Sequence, residues 1–132
     1  MGNSIEGIKI EFYLYPTGNF NDIRYAVIVD GGMLTIENRD TLVGTKIPYN
    51  LSKQELTSAQ LKKLEGLIKE TKFVKEDVAL IAEDTWECKL IANSSLLYEN
   101  PCFTYESQKG KQNLLSYLLS LLPVKLELYG FS

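Results

Sequence analysis

Five carboxylates fall within residues 76–87: Glu76, Asp77, Glu83, Asp84 and Glu87. Paired carboxylates serve as acid and base in glycoside hydrolysis when one is shielded and the spacing is right. They also bind hard cations. The run lacks the D-x-[DN]-x-[DN]-G pattern of a calcium loop, and surface acids of this density ordinarily solvate a linker. The chain contains no histidine. That removes Ser-His-Asp and Cys-His catalysis, the usual general base near neutral pH and the commonest metal ligand. Cys88 and Cys102 are the two cysteines and lack CxxC spacing. Without a histidine to activate it, Cys88 reads as a small buried hydrophobe. No G-x-S-x-G, S-x-x-K, G-x-G-x-x-G or Walker-type run occurs. The sequence therefore implies no catalytic residue, no metal centre and no cofactor.

Tyrosines offer a different chemistry. Tyr13, Tyr15 and Tyr129 stand on the polar side of alternating segments, and exposed tyrosine is a common contact residue at interfaces. It is equally a common surface residue of sheets. These three are the candidate binding residues, with a protein as the candidate partner. Lys and Arg are spread along a chain of net charge −3 and pI about 5.0, so no basic stripe offers itself to nucleic acid. No stretch approaches the roughly 18 apolar residues that a transmembrane helix needs. The opening M-G-N-S-I-E-G has neither the basic start nor the apolar run of a signal peptide. As given the chain reads as cytoplasmic, or as an envelope or secreted protein if a signal was removed. Asn50-Leu51-Ser52 and Asn93-Ser94-Ser95 match the glycosylation sequon.

The elements that must position these groups follow from periodicity. With 132 residues, 45% of them hydrophobic and 23% charged, the chain suits one globular domain with a core of its own. Ile8–Tyr15 alternates with period two and predicts a half-buried strand ended by Pro16. Asp22–Asn38 predicts a hairpin turning at Gly31-Gly32, with Val29 opposite Leu34, Val27 opposite Ile36 and Tyr25 opposite Asn38. Capping boxes at Ser52 and Thr57 compete, and Thr57 suits the spacing of Leu61, Leu64 and Ile68. That helix is expected to end near Thr71, with Phe73 folding back onto the core. Residues 39–50 read as a short strand or extended loop, and 74–82 as a loop or short strand.

Asp84–Tyr105 predicts a second hairpin. A three-residue turn at Asn93-Ser94-Ser95 places Lys89 opposite Glu99 and Leu90 opposite Tyr98, with Trp86, Cys88, Leu90 and Tyr98 on the inner face. Cys88 and Cys102 then lie diagonally, at ~7–8 Å, too far for the ~4.4–6.8 Å of a disulfide. Both hairpins span 17 residues, open on Asp and close on Glu-Asn, which suggests two hairpin-then-helix halves. Residues 113–122, N-L-L-S-Y-L-L-S-L-L, form a helix apolar around most of its circumference, with Leu114, Leu118 and Leu121 towards the core. It is either enclosed within a monomer or partly used in a homodimer. Ile8–Tyr13 and Val124–Tyr129 repeat one pattern of apolar, Lys, apolar, Glu, apolar, Tyr. Antiparallel pairing with Ile10 opposite Leu126 would match opposite charges.

The order of hairpin, helix with L-S-x-x-E-L-T-x-x-Q-L-x-x-L, a Phe a few residues on, D-T-W-E-C-K-L and a second helix resembles small uncharacterised bacterial α+β domains of envelope proteins and lipoproteins. The resemblance spans about residues 22–122, carries over no site residues and implies an envelope setting. The expected fold is α+β: a mainly antiparallel sheet of five or six strands with two helices packed on one face. Two functions follow. One is a non-enzymatic module binding a protein or ligand, as an inhibitor, immunity-type protein or envelope accessory. The alternative is a small carboxylate-dependent hydrolase using the acidic cluster at 76–87.

Overall fold

The computed structural model describes residues 7–39, 52–76, 85–104, 110, 112–123 and 126. Within them lie β1 (Lys9–Pro16), β2 (Tyr25–Asp30), β3 (Met33–Asn38), β4 (Ser52–Glu55), α1 (Ser58–Glu70), β5 (Val74–Lys75), β6 (Trp86–Ala92), β7 (Ser95–Asn100) and α2 (Leu114–Ser120). The class is α+β, with two helices and a mixed, mostly antiparallel sheet. Its strands run in the order β4-β3-β2-β1-β6-β7-β5. The seven strands exceed the expected five or six because two edge pieces carry no period-two signal: polar Ser52–Glu55 and the two-residue β5, which is parallel to β7.

Alternation builds the core. Ile10, Phe12 and Leu14 of β1, Val27 and Val29 of β2, Leu34 and Ile36 of β3, and Cys88 and Leu90 of β6 are buried with Leu61 and Leu64 of α1 and Leu114, Leu115 and Leu118 of α2. Phe12 meets Phe103 edge-on at 5.9 Å, and Tyr25 stacks on Trp86 at 5.6 Å. Leu121, expected in the core, is only partly buried because α2 ends at Ser120 and Leu121 is its C-cap. Gln54 of β4 reaches the Leu121 carbonyl at 3.4 Å.

The first hairpin has the expected register, and Gly31 and Gly32 take φ of 61° and 79°, the pair of positive values a type I′ turn requires. Thr57 caps α1 with a complete capping box, and Thr71 ends it. The second hairpin pairs Lys89 with Glu99 and Leu90 with Tyr98 as expected, yet its turn holds two residues. Asn93 and Ser94 carry the turn at φ of 50° and 71°. Asn93 is pinned to β1: its N–H donates to the Lys9 carbonyl at 2.8 Å, and its Oδ1 accepts from the Lys9 N–H at 2.9 Å. A bulge then restores the register beyond Leu96.

Two further expectations are overturned. Phe73 is 52% exposed, not folded onto the core. It lies between the C-cap of α1 and an edge strand whose Val74 and Lys75 are themselves exposed. Nor can Ile8–Tyr13 pair with residues 124–129, because β2 takes one edge of β1 and β6 the other. Of the latter stretch only Leu126, which is buried, lies within the described residues. Of the readings of 39–50 and 74–82, residues 40–50 and 77–82 lie outside the described residues, and Val74–Lys75 forms the short strand β5.

Leu118→Ala is expected to cost ~2–5 kcal/mol, read as a lower denaturant midpoint. Ser94→Gly should raise stability by about 1 kcal/mol, because an L residue strained at positive φ is replaced by one that is not. Thermal melts of the two variants check both signs.

Candidate functional site

The sheet face opposite the main core is set by β1 residues Lys9, Glu11, Tyr13 and Tyr15. Tyr13 lies between Ala26 and Lys89, and Tyr15 beside Glu87. The turn after Pro16 folds back over this face. Phe20 packs edge-on against Tyr15 at 5.1 Å and Tyr13 at 6.0 Å, and the Lys89 ammonium sits 4.2 Å from the Phe20 ring centre. Glu87 ties the assembly down, accepting from the Tyr15 hydroxyl at 3.0 Å and from the Gly18 N–H at 2.9 Å. Thr17 adds bonds to Thr85 and to the Pro101 carbonyl.

The candidate binding tyrosines are therefore mostly spent inside the molecule. Tyr15 is 1% exposed, which corrects its placement as a surface contact residue: alternation assigned its face, and Phe20 with Glu87 covers that face. Burial and the bond to Glu87 push its hydroxyl well above the usual tyrosine range. Tyr13 is partly buried and donates to Glu11 at 2.5 Å. Its pKa is pushed up to about 12, first by burial and then by that bond. Tyr129 lies outside the described residues. Phe20, 40% exposed, is the aromatic that this face actually presents.

The acidic cluster does not form one site among the described residues. Glu87 lies on the Tyr15 face, whereas Glu76 accepts from the hydroxyl of Tyr98, which pairs with inner-face Leu90. These two carboxylates are thus held by tyrosines of opposite sheet faces. Asp77, Glu83 and Asp84 lie outside the described residues. Both cysteines are free, as the diagonal geometry implied. Cys88 is buried, and its burial pushes the thiol far above its ordinary range, which makes it a poor nucleophile. Among the described residues no three potential metal-ligating side chains come together, and no helix is long and apolar enough to cross a membrane.

The structure also holds a cavity that sequence reasoning missed. A cavity of about 400 Å³ opens between the end of α1, β5, β7 and the start of α2. Leu67, Leu90, Leu97, Leu114 and Leu115 give it an apolar floor. Tyr98, Glu76 and Asn113 supply polar groups. The bulge creates it: Ile91 pairs with Leu96 and Leu90 with Tyr98, so Leu97 is the extra residue of β7. A bulge re-aims a side chain, and here Leu97 and Tyr98, adjacent in sequence, line one cavity. Tyr98 is held in turn. Its oxygen accepts from the Asn100 amide at 3.0 Å, and buried Asn100 accepts from the Cys102 N–H at 3.0 Å. The legible signal was Leu96-Leu97-Tyr98, three large residues in a row where period two allows only alternate ones. A second hollow, about 420 Å³, flanks the same α1–α2 seam but has Leu67 as its one aliphatic lining residue.

Compared with known proteins, the chain matches no protein-family model, no curated protein and no solved structure.

The raised tyrosines set an alkaline limit on stability. Tyr13 and Tyr15 lose their protons less readily folded than unfolded, where tyrosine titrates near ~10. The contribution of Tyr13 is complete below about pH 10 and is lost as pH rises through about 12, and that of Tyr15 is lost at still higher pH. Tyr13→Phe should flatten that decline, seen in denaturation midpoints measured across the alkaline range.

Proposed function

We propose that this protein is a non-enzymatic binding module that takes a small, largely apolar molecule into the cavity beside Leu97. The observation that carries this reading is the cavity itself. Its volume of about 400 Å³ lies in the range of small-molecule sites, and it joins an aliphatic floor to a few convergent polar groups. The reading takes both helices to lie on one face of the sheet, so that their adjoining ends wall the cavity against β7. An envelope setting, suggested by the resemblance of residues 22–122, suits a carrier or sensor of apolar molecules.

The hydrolase alternative finds less support. Of the acidic cluster only Glu76 lines this cavity among the described residues, and the other lining carboxylate, Glu70, is exposed, where such chemistry calls for a shielded acid. The tyrosine face, as a protein-docking surface, presents Phe20 as its prominent exposed aromatic among the described residues.

Titration with N-phenyl-1-naphthylamine, a neutral apolar probe that fluoresces on leaving water, tests the proposal. Saturable one-to-one binding is expected, lost in Leu97→Trp, which fills the cavity, and in Val74→Trp at its exposed rim. Absence of saturable binding, or binding unchanged in both folded variants, would show that the cavity is not the site.

A further inference from the structure

The hollow next to the cavity carries a charge of its own. Its volume is about 420 Å³, and it shares Leu67, Gln112 and Asn113 with the cavity as lining. Among the described residues its ionisable lining is Lys63 and Tyr117, with no carboxylate. The Lys63 ammonium stands 4.8 Å from the centre of the Tyr117 ring, which keeps it at the hollow. Among the described residues no carboxylate pairs with it. Asn113 adds a donor. Its Oδ1 is held by the Ser116 N–H at 2.9 Å, so its amide N–H groups are turned away from that bond and have no acceptor among the described residues.

We infer that the ligand of this cavity is an amphipathic anion: an aliphatic tail lying on Leu90, Leu97, Leu114 and Leu115, and a carboxylate-type head that passes Leu67 into the neighbouring hollow, to Lys63 and the Asn113 amide. This inference rests on the cavity being the binding site and adds the chemistry of what enters it. Lys63 and Leu67 stand four apart on α1, neighbours on one stripe at about 5–6 Å. A tail resting on Leu67 therefore brings its head within reach of the ammonium. The cavity itself is a poorer place for that head. Its own cation, Lys72, shares the lining with two carboxylates, Glu70 and Glu76, whereas the hollow sets Lys63 against none among its described lining residues. Head and tail are thus sorted into two adjoining compartments. The chain's net charge of −3 opposes an approaching anion, so a preference for one has to arise locally, in the hollow.

Decanoate, 1-decanol and decylammonium share a tail and differ in head charge. Each is titrated, below the concentration at which it forms micelles, against protein holding N-phenyl-1-naphthylamine, with displacement as the readout. Decanoate should displace the probe at a concentration about fivefold below decylammonium, with decanol between. Lys63→Gln should bring decanoate to the level of decanol, and Lys63→Arg, which keeps the charge, should retain the preference. Lys53→Gln removes the same unit of charge from β4, at the opposite edge of the sheet from β5, and should leave the preference intact. Equal or better displacement by decylammonium would overturn the inference, while bound probe would leave the cavity reading standing. A preference that survives Lys63→Gln, or that Lys53→Gln weakens equally, would also overturn it, because the head would then lie elsewhere or answer to net protein charge. Failure of the probe itself to bind defeats the cavity reading and the inference with it.

Discussion

β1 sits in the middle of the sheet, and its backbone groups are committed on both edges. Residues Lys9–Leu14 pair with β2, and Ile10–Pro16 pair with β6, both antiparallel. A hydrogen bond made in folding contributes little net, but one left unmade in the interior is costly. A strand at this position must therefore have both partners at once. Its inner residues Ile10, Phe12 and Leu14 are completely buried, so a register slip of one residue would turn all three away from the core. Because both neighbours run opposite to β1, the two hairpins grow outwards from it on either side, and every other strand is positioned by how far it lies from this one.

That constraint reaches as far as the cavity. The second hairpin is fixed at two points. Its tip is held to Lys9 through Asn93, and its body is held by the pairing of Cys88 with Asn100 and Lys89 with Glu99. Between Ala92↔Ser95 and Leu90↔Tyr98, β6 advances two residues while β7 advances three. The surplus residue, Leu97, has to leave the ladder. It lines the cavity together with residues of α1 and α2, beside a β5 that pairs with β7 only at Tyr98 and Glu99. A hollow at the edge is thus the consequence of an anchored tip and one extra residue.

Much of the architecture was legible from period alone. The Gly-Gly hairpin, the register of Lys89 with Glu99, the Thr57 cap and the inward Leu114 and Leu118 all follow from spacing and turn chemistry. What escaped has physical reasons. Ser52–Glu55 is wholly polar and reads as a cap, and becomes a strand because β3 offers an edge and Leu56 N–H bonds the Gly32 carbonyl at 2.9 Å. Tyr15 was assigned to the right face, but alternation cannot say that a loop returns to cover that face. The cavity was invisible because a three-residue turn and a two-residue turn followed by a bulge give the same pairing of Lys89 with Glu99. Only the tip distinguishes them, and its anchor, Lys9, is remote in sequence.

The same topology bears on the likeness of the two hairpins. Asp22–Asn38 and Asp84–Asn100 match in length and in their ends, and Asn38 and Asn100 are both buried. Yet each hairpin lays its first strand beside β1, one on either side and both in the same direction. Carrying a hairpin from one side to the other without reversing its strands requires turning it over, which exchanges its faces. The residues show that exchange. Ala26 and Cys88 stand equally far from the opening Asp, but Ala26 pairs with Tyr13 on the outer face, whereas Cys88 pairs with Leu14 on the inner one. Val27 and Lys89 are likewise equivalent and likewise opposed, since both flank β1 at Phe12 and Tyr13 in turn. A copied hairpin would have had to replace its whole inner face to survive in the second position. The bulge then shifts the returning strand by one, which brings Asn100 back to the buried side that Asn38 occupies. The matching ends thus reflect equal lengths and a compensating bulge, while the packing of the first strands is opposite throughout.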